Sequence, residues 1–152
     1  LERTHVNPAN VVLEITESGE IDSQSIQQTV SDLAALGVQI DIDDFGTGYS
    51  NLRYIQDLHA NTLKLDYSFI HRAVTEGGKD EKIIEYVTNM AHDLGMTVCM
   101  EGIESDSDMK KLGHIKPDKF QGFLFGRPVS ARKFEEDNLR ISSLKQQDNQ
   151  AL

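Results

Sequence analysis

The sequence contains a single cysteine, Cys99, so the chain forms no internal disulfide and fits the reducing cytoplasm. No apolar run approaches the roughly 18–20 residues that a membrane helix needs, and the first residues lack the pattern of a signal peptide. An initiator methionine is also missing, which favours an excerpt or a processed piece of a longer protein. We therefore expect a cytoplasmic domain, and any membrane tether of the parent protein would lie in an upstream segment.

Basic residues are scarce relative to acidic ones, because 15 Lys and Arg against 25 Asp and Glu give a formal charge of −10. A polyanion such as DNA is repelled by that average field, so we expect no nucleic-acid partner. GxGxxG, P-loop and CxxC motifs are absent, and the five histidines are dispersed without the spacing of metal ligands. The acidic residues either form a solvated surface or converge on cations, and their positions must decide between the two.

Short β-rich runs alternate with amphipathic stretches, which predicts an α/β fold of parallel strands joined by right-handed crossovers. Five strands are predicted at residues 11–17, 38–45, 62–66, 97–103 and 119–125, and helices at 23–36, 50–58, 80–94, 106–112 and from Ser130 onward. An open doubly wound sheet and part of a (β/α)₈ barrel both fit this order. The helix at 80–94 ends before Gly95 and carries one apolar stripe that we expect to face the core: Ile83, Ile84, Val87, Met90, Ala91 and Leu94.

Polar side chains stand at the ends of the predicted strands, where parallel α/β proteins bind their ligands. Side chains two residues apart share a strand face, so Asp43 belongs with Asp41 and Lys64 with Asp66. Crowded carboxylates raise one another's pKa values unless cations balance them. Hard oxygen ligands suit Mg²⁺ or Mn²⁺. The adjacent pair Asp43 and Asp44 therefore favours two-metal hydrolysis of a phosphoester, with Lys64 holding the nucleophilic water or neutralising phosphoryl charge.

Each group also has a plainer interpretation. Glu14 and Glu17 fit an exposed strand end or a helix cap, and residues 43–46 fit turn chemistry. Lys64 and Asp66 fit a simple salt bridge. Glu101 and Glu104 fit surface acids near a helix N-terminus, where negative charge is favoured.

Five segments occur in a fixed order along the chain. They are Glu-Ile-Thr-Glu-Ser (14–18), Asp-Asp-Phe-Gly-Thr-Gly-Tyr-Ser (43–50), Leu-Lys-Leu-Asp (63–66), Glu-Gly-Ile-Glu (101–104) and Gln-Gly-Phe-Leu-Phe-Gly-Arg-Pro (121–128). Together they resemble the EAL domain family, and the segment 43–50 is the most specific. We expect residues 1–135 to be the C-terminal part of an EAL domain, and residues 136–152 to be the end of a terminal helix and a polar, disordered tail.

The resemblance implies a partial TIM-like (β/α)₈ barrel from a bacterial signalling enzyme that hydrolyses cyclic di-GMP to linear pGpG with Mg²⁺ or Mn²⁺. In this family's pattern Glu14, Asp43, Asp44 and Glu101 match the carboxylates of the metal site. Lys64 matches the lysine beside the nucleophilic water, and Glu101 also matches the position that helps to activate that water.

The resemblance also implies residues around the metals. Asp66, Gln121 and Glu104 match positions that line the substrate site. Glu17 matches a residue that supports the loop after Asp44, a loop tied to metal binding and to homodimer formation. Sensory or GGDEF-type domains are expected upstream.

The sequence departs from the family in its extent and at single positions, among them Met100, where the family often has a small residue. It has no counterpart of the N-terminal portion, whose EAL glutamate and asparagine complete one metal's coordination, so we expect the isolated chain to be inactive. In addition, Asp41 stands where a small or apolar residue is expected, and we predict that it is buried and either hydrogen-bonded or partly protonated. The alternative function is a degenerate EAL module that binds cyclic di-GMP or a protein partner. A phospho-receiver domain also uses an acidic pair and a lysine, but their order along its chain is different.

Overall fold

A single parallel sheet organises the part of the chain that the structure describes, which comprises residues 2–16, 24–47, 55, 58 and 60–139 of a computed structural model. The sheet has five strands that pair in sequence order, each with the one before it. This confirms the predicted α/β fold with five parallel strands. The strands are β1 (Val12–Thr16), β2 (Gln39–Phe45), β3 (Thr62–Leu65), β4 (Thr97–Met100) and β5 (Lys119–Phe120).

Helices connect and flank these strands. The α-helices are α1 (Gln24–Ala35), α2 (Tyr67–Thr75), α3 (Lys79–Asp93), α4 (Asp106–Leu112) and α5 (Ala131–Phe134). Short 3₁₀ turns occur at Glu2–Thr4, Pro8–Asn10 and Gly113–Ile115, and a π-helical turn, Glu135–Leu139, follows α5. None of the helices in the described residues has both the length and the apolar composition that a membrane crossing needs.

The two faces of the sheet differ in polarity. One face carries the alternate apolar residues of the central strands, and these pack with α2, α3 and α4 into one core because burial removes their apolar surface from water. The other face carries polar residues in cross-strand register, such as Glu14 beside Asp41 and Lys64 beside Cys99. The predicted site residues Glu14 and Lys64 therefore lie on the polar face. Fully buried side chains of the apolar face include Ile40, Ile42, Leu63, Leu65, Val98 and Met100.

Several predicted boundaries were wrong. The sequence analysis missed helix α2, which begins directly after Asp66, because its apolar residues Phe69, Ile70 and Ala73 form only a short stripe. The fourth and fifth strands end at Met100 and Phe120, earlier than predicted, since the chain turns away where Glu101 and Gln121 begin.

The apolar stripe predicted for α3 is only partly buried. Ile84 and Ala91 are fully buried, but Ile83 and Leu94 are 47% and 46% exposed. The core-facing side of the helix includes Thr88 instead, which is fully buried and lies one turn after Ile84. Successive helical residues are separated by 100°, so Ile83 and Ile84 cannot both face the centre of the same core.

Two other predictions, the helix at 50–58 and the tail at 136–152, concern residues that the structure describes only in part. Of the helix predicted at 50–58, the structure describes Ile55, which is helical, and Leu58; both are buried. Ser130 caps α5 as expected, since its side chain accepts a hydrogen bond from the Lys133 N–H. Of the predicted tail, residues 136–139 belong to the π-helical turn and the remainder lies outside the described residues.

Candidate metal centre

Lys64, in the middle of β3, is the centre of the polar face. Its side chain is only 7% exposed, and its Nζ atom lies 2.7 Å from Glu14 Oε1, 2.8 Å from Asp43 Oδ1 and 2.9 Å from Glu101 Oε1. These three carboxylates come from β1, from β2 and from the residue after β4. The structure therefore brings together four residues that the sequence analysis predicted for one site.

A β-bulge explains how the adjacent residues Asp43 and Asp44 serve the same site. Ile42 pairs with Leu63 and Phe45 with Leu65, so two residues of β2 oppose the single residue Lys64 of β3. Asp44 adopts a left-handed backbone conformation with φ 57°, which aspartate tolerates better than most residues. In a regular strand these neighbouring side chains would point to opposite faces.

The carboxylates form a set suited to a cation. One oxygen from each of Asp43, Asp44 and Glu101 lies within 4.8 Å of the others. Together with Glu14, these carboxylates outnumber the single ammonium group of Lys64 by four to one. A set of hard oxygen donors with excess negative charge fits Mg²⁺ or Mn²⁺ and does not fit a soft metal.

Burial and charge set the protonation of the site. Burial raises the pKa of the Glu101 carboxyl group, and the hydrogen bond from Lys64 opposes this only in part. The pKa of Asp44 is also raised, first by partial burial and then by the charge of Asp43. Burial alone would lower the pKa of Lys64, but hydrogen bonds to Asp43, Glu14 and Glu101 outweigh it and hold that pKa above its ordinary value. Lys64 is therefore a permanent positive charge at neutral pH.

Two glycines allow the backbone to pack closely beside Glu101. A Cβ atom on Gly102, which has φ 73°, would lie 2.2 Å from the Tyr67 ring. A Cβ atom on Gly122 would lie 2.1 Å from the carbonyl oxygen of Ile103, whose N–H donates to Gln121 O at 3.0 Å. The sequence analysis listed these glycines only as members of motifs, and their physical role is to bring the ends of β4 and β5 together.

Comparison with known proteins identifies the family. The sequence model of the EAL domain matches residues 1–128. The chain belongs to the EAL domain family.

Relatives of this EAL domain include a bifunctional diguanylate cyclase/cyclic di-GMP phosphodiesterase, MucR of Pseudomonas aeruginosa, 35% identical over 86% of the chain and 19% of MucR. The structure of the MucR phosphodiesterase in complex with c-di-GMP superposes with a TM-score of 0.81 at 35% identity, over 88% of this chain and 54% of that one. Klebsiella pneumoniae BlrP1, in complex with manganese and cyclic di-GMP, gives a TM-score of 0.76 at 30% identity, over 85% of this chain and 33% of that one. The chain spans about a fifth of the length of the first curated relatives it matches, 17% and 19%.

Three further predicted site residues of the EAL domain follow the ends of β3, β4 and β5 in the sequence. Asp66 is the N-cap of α2, and its carboxylate accepts hydrogen bonds from the N–H and hydroxyl groups of Ser68. Gln121 is exposed and follows β5 directly. Glu104 is exposed at the rim of a cavity of about 290 Å³ whose wall includes the stacked rings of Tyr67 and His71. Glu17 lies outside the described residues.

Asp41 is buried as predicted, with 7% of its surface exposed. Burial raises the pKa of its carboxyl group, against the opposing effects of a hydrogen bond from Thr62 and the charge of Lys119. The sequence analysis did not name Thr62 or Lys119. The available signal was their strand position, because Asp41 pairs with Thr62 and Cys99 with Lys119 on the same polar face.

Proposed function

We propose that this EAL domain supplies the cation-binding part of a cyclic di-GMP phosphodiesterase, which hydrolyses the cyclic dinucleotide to linear pGpG in bacterial second-messenger signalling. The observation that carries the proposal is the convergence of Asp43, Asp44 and Glu101 oxygens within 4.8 Å of one another beside the Lys64 ammonium group. A phosphodiester is an anion, and a site of crowded carboxylates can receive it only when cations balance the charge. The names of the relatives point to the same substrate.

In this proposal Asp43, Asp44, Glu101 and Glu14 hold Mg²⁺ or Mn²⁺. Such ions, when bound, polarise the phosphoryl group and lower the pKa of a bound water. Glu101 would accept a proton from the attacking water, and its carboxylate, which is 15% exposed, lies 2.9 Å from Lys64 Nζ.

Lys64 has three N–H donors, and its Nζ atom lies within 2.9 Å of one oxygen of each of three carboxylates. If cations shared those carboxylates, an N–H group of Lys64 would be free to hold the attacking water or to neutralise the developing charge on a phosphoryl oxygen. The ammonium group therefore holds the carboxylates together in the metal-free state and serves the substrate in the loaded state.

The remaining site residues take outer positions in the proposal. Asp66, Gln121 and Glu104 line the substrate site, and Glu17 supports the loop after Asp44, through which the domain forms a homodimer. Sensory or GGDEF-type domains upstream would supply the input signal.

We expect the isolated chain to be inactive. Among the described residues β1 and β5 each pair with one neighbouring strand only, and the carboxylates that lie within reach of one ion number three, fewer than a two-metal site needs. The full activity then belongs to the parent domain, in which further strands complete the barrel and the second set of ligands. A non-catalytic module that binds cyclic di-GMP or a protein partner is the competing proposal.

The test has two parts. Binding of Mn²⁺ to the purified chain is measured by electron paramagnetic resonance for the wild type, for Asp43→Asn and Asp44→Asn, and for the exposed control Asp93→Asn. Hydrolysis of cyclic di-GMP to pGpG is then followed by chromatography, with Mn²⁺ or Mg²⁺, in the chain and in the parent protein.

Binding of Mn²⁺ that is lost in Asp43→Asn and Asp44→Asn but retained in Asp93→Asn, together with turnover in the parent protein, supports the proposal. Turnover by the isolated chain that Glu101→Ala abolishes would show that the expected inactivity is wrong. A parent protein that binds cyclic di-GMP without hydrolysing it would favour the binding module.

A further inference from the structure

Asp41 is a buried carboxylate on the polar face, and the metal site does not explain how its charge is compensated. It pairs in register with Glu14, stands two residues before Asp43, and is 7% exposed. Its Oδ1 atom has no hydrogen-bond partner among the residues that the structure describes. A charged carboxylate that is buried without a counter-charge costs several kcal/mol, and a nearby cation reduces that cost.

Two lysines act electrostatically on Asp41, and both favour its charged form: Lys119 and Lys64. Lys64 is already committed, since its Nζ atom lies 2.7–2.9 Å from carboxylate oxygens of Glu14, Asp43 and Glu101. Lys119 has no such partners among the described residues. It is therefore the cation available to Asp41.

Thr62 connects the two residues. Lys119 Nζ lies 3.5 Å from the Thr62 hydroxyl oxygen, and the Thr62 side chain hydrogen-bonds to the Asp41 carboxylate. A hydroxyl group both accepts and donates, so Thr62 can accept from Lys119 while it donates to Asp41. Thr97 fixes that hydroxyl from the other side, at 3.1 Å. These contacts lead from Lys119 on β5 through Thr62 on β3 to Asp41 on β2. Thr62 and Asp41 stand two residues before Lys64 and Asp43 on the same strands.

We propose that Lys119 is a positioning residue for the metal centre: by compensating Asp41 through Thr62, it leaves Lys64 free to hold Glu14, Asp43 and Glu101. Without Lys119, the unbalanced Asp41 carboxylate competes for the Lys64 ammonium group and draws it away from the ligand carboxylates. This inference depends on the proposed function in one respect, namely that the carboxylates held by Lys64 bind a cation.

The experiment is a double-mutant cycle on the purified chain with Lys119→Met, Asp41→Asn and both together. Lys116→Met is the control, because it removes the same charge from a lysine that is exposed, as Lys119 is, and that lies close by in the sequence. Lys119→Arg tests rescue by a conserved charge. Two quantities are measured for every variant: the midpoint of thermal unfolding without metal, and the dissociation constant for Mn²⁺.

Lys119→Met is expected to lower the unfolding midpoint by about 4 °C and to raise the Mn²⁺ dissociation constant by about tenfold. Adding Asp41→Asn should restore both values toward those of Asp41→Asn alone, and Lys119→Arg should stay close to the wild type. The inference is overturned if Lys119→Met behaves like Lys116→Met, if the two substitutions are additive, or if only the unfolding midpoint changes. A wild-type chain that binds no Mn²⁺ would instead count against the proposed function, and the unfolding cycle would still decide whether Asp41 and Lys119 are coupled.

Discussion

The ammonium group of Lys64 on β3 lies 2.7 Å from Oε1 of Glu14 on β1, although β2 separates these strands in the sheet. Adjacent strands are about 4.8 Å apart, so the two side chains together bridge about 10 Å of sheet. The ion pair therefore joins strands that share no backbone hydrogen bonds. One lysine fixes the relative positions of ligands from three separate strand ends, and four predictions about the site and its supports can be tested.

Replacement of Lys64 by Met should destabilise the metal-free chain by about 3 kcal/mol, because it leaves three carboxylates without their buried counter-charge. Added Mn²⁺ should reduce the difference in unfolding free energy between this variant and the wild type, since a cation at the same carboxylates replaces the lost charge. Urea unfolding at neutral pH, with and without Mn²⁺, measures both effects. Lys82→Met is the control, as Lys82 pairs with Glu85 on the helix surface, and its loss should have no measurable effect. An unchanged stability of Lys64→Met would contradict the central role of this lysine.

Replacement of Gly122 by Ala should destabilise the chain by at least about 2 kcal/mol, since the new Cβ atom would overlap the backbone of Ile103 and cannot be relieved by a side-chain rotation. Gly113→Ala is the matched control, because its Cβ atom would meet nothing within 4 Å and its φ of −61° suits any residue. Thermal unfolding compares the two variants. Equal midpoints would show that the ends of β4 and β5 do not depend on this close approach.

Replacement of Asp66 by Ala should cost about 1 kcal/mol, because α2 loses the side chain that caps its first turn. Asp66→Asn should retain most of that stability, since asparagine is an equally good N-cap but carries no charge. Urea unfolding of both variants separates the capping role from the charge. If Asp66→Asn were as unstable as Asp66→Ala, the carboxylate charge and not the cap would be the main contribution of Asp66.

Asp118 predicts a pH dependence of stability. Burial alone would raise the pKa of Asp118, but the Val98 N–H, at 2.7 Å, and His92, at 2.9 Å, outweigh it and lower that pKa below the ordinary value of 3.8. A lowered pKa in the folded state stabilises the protein at pH values above the ordinary one, and this contribution is lost as the pH falls through the folded-state pKa.

The Asp118→Asn variant should therefore be less stable than the wild type by about 1 kcal/mol at neutral pH, a modest value because this carboxylate is more than a third exposed. The difference should disappear as Asp118 becomes protonated below about pH 4. Thermal unfolding between pH 3 and pH 7 measures it, with Asp93→Asn as the control. A difference that is constant across this range would contradict the assignment.

The sequence was sufficient to predict the polar face of the sheet but not the β-bulge in β2. Strand alternation paired Asp41 with Asp43, and the resemblance to the EAL family grouped Glu14, Asp43, Lys64 and Glu101 in one site. The structure joins these four residues at 2.7–2.9 Å. The bulge that brings Asp44 to the same site depends on the pairing of β2 with β3, which no local pattern encodes.

Helix boundaries show the same limit. The apolar residues of α3 suggested one broad stripe, yet Ile83 and Leu94 are exposed because the core lies on the side of Ile84 and Ala91. Asp66 looked like the end of a strand, and only the three-dimensional structure shows that its carboxylate begins a helix. Both errors arose where tertiary contacts, and not local propensity, choose between the alternatives.

The sequential strand order has a consequence for how the domain is made. In the described residues each strand from β2 to β5 pairs with the strand synthesised just before it, so none of these four needs a distant part of the chain in order to join the sheet. A nascent chain leaving the ribosome can therefore add one strand and its helix at a time. On this route β4 and the Glu101 that follows it are synthesised after Glu14, Asp43 and Asp44. Strands β1 to β3 therefore form before all four carboxylates are present.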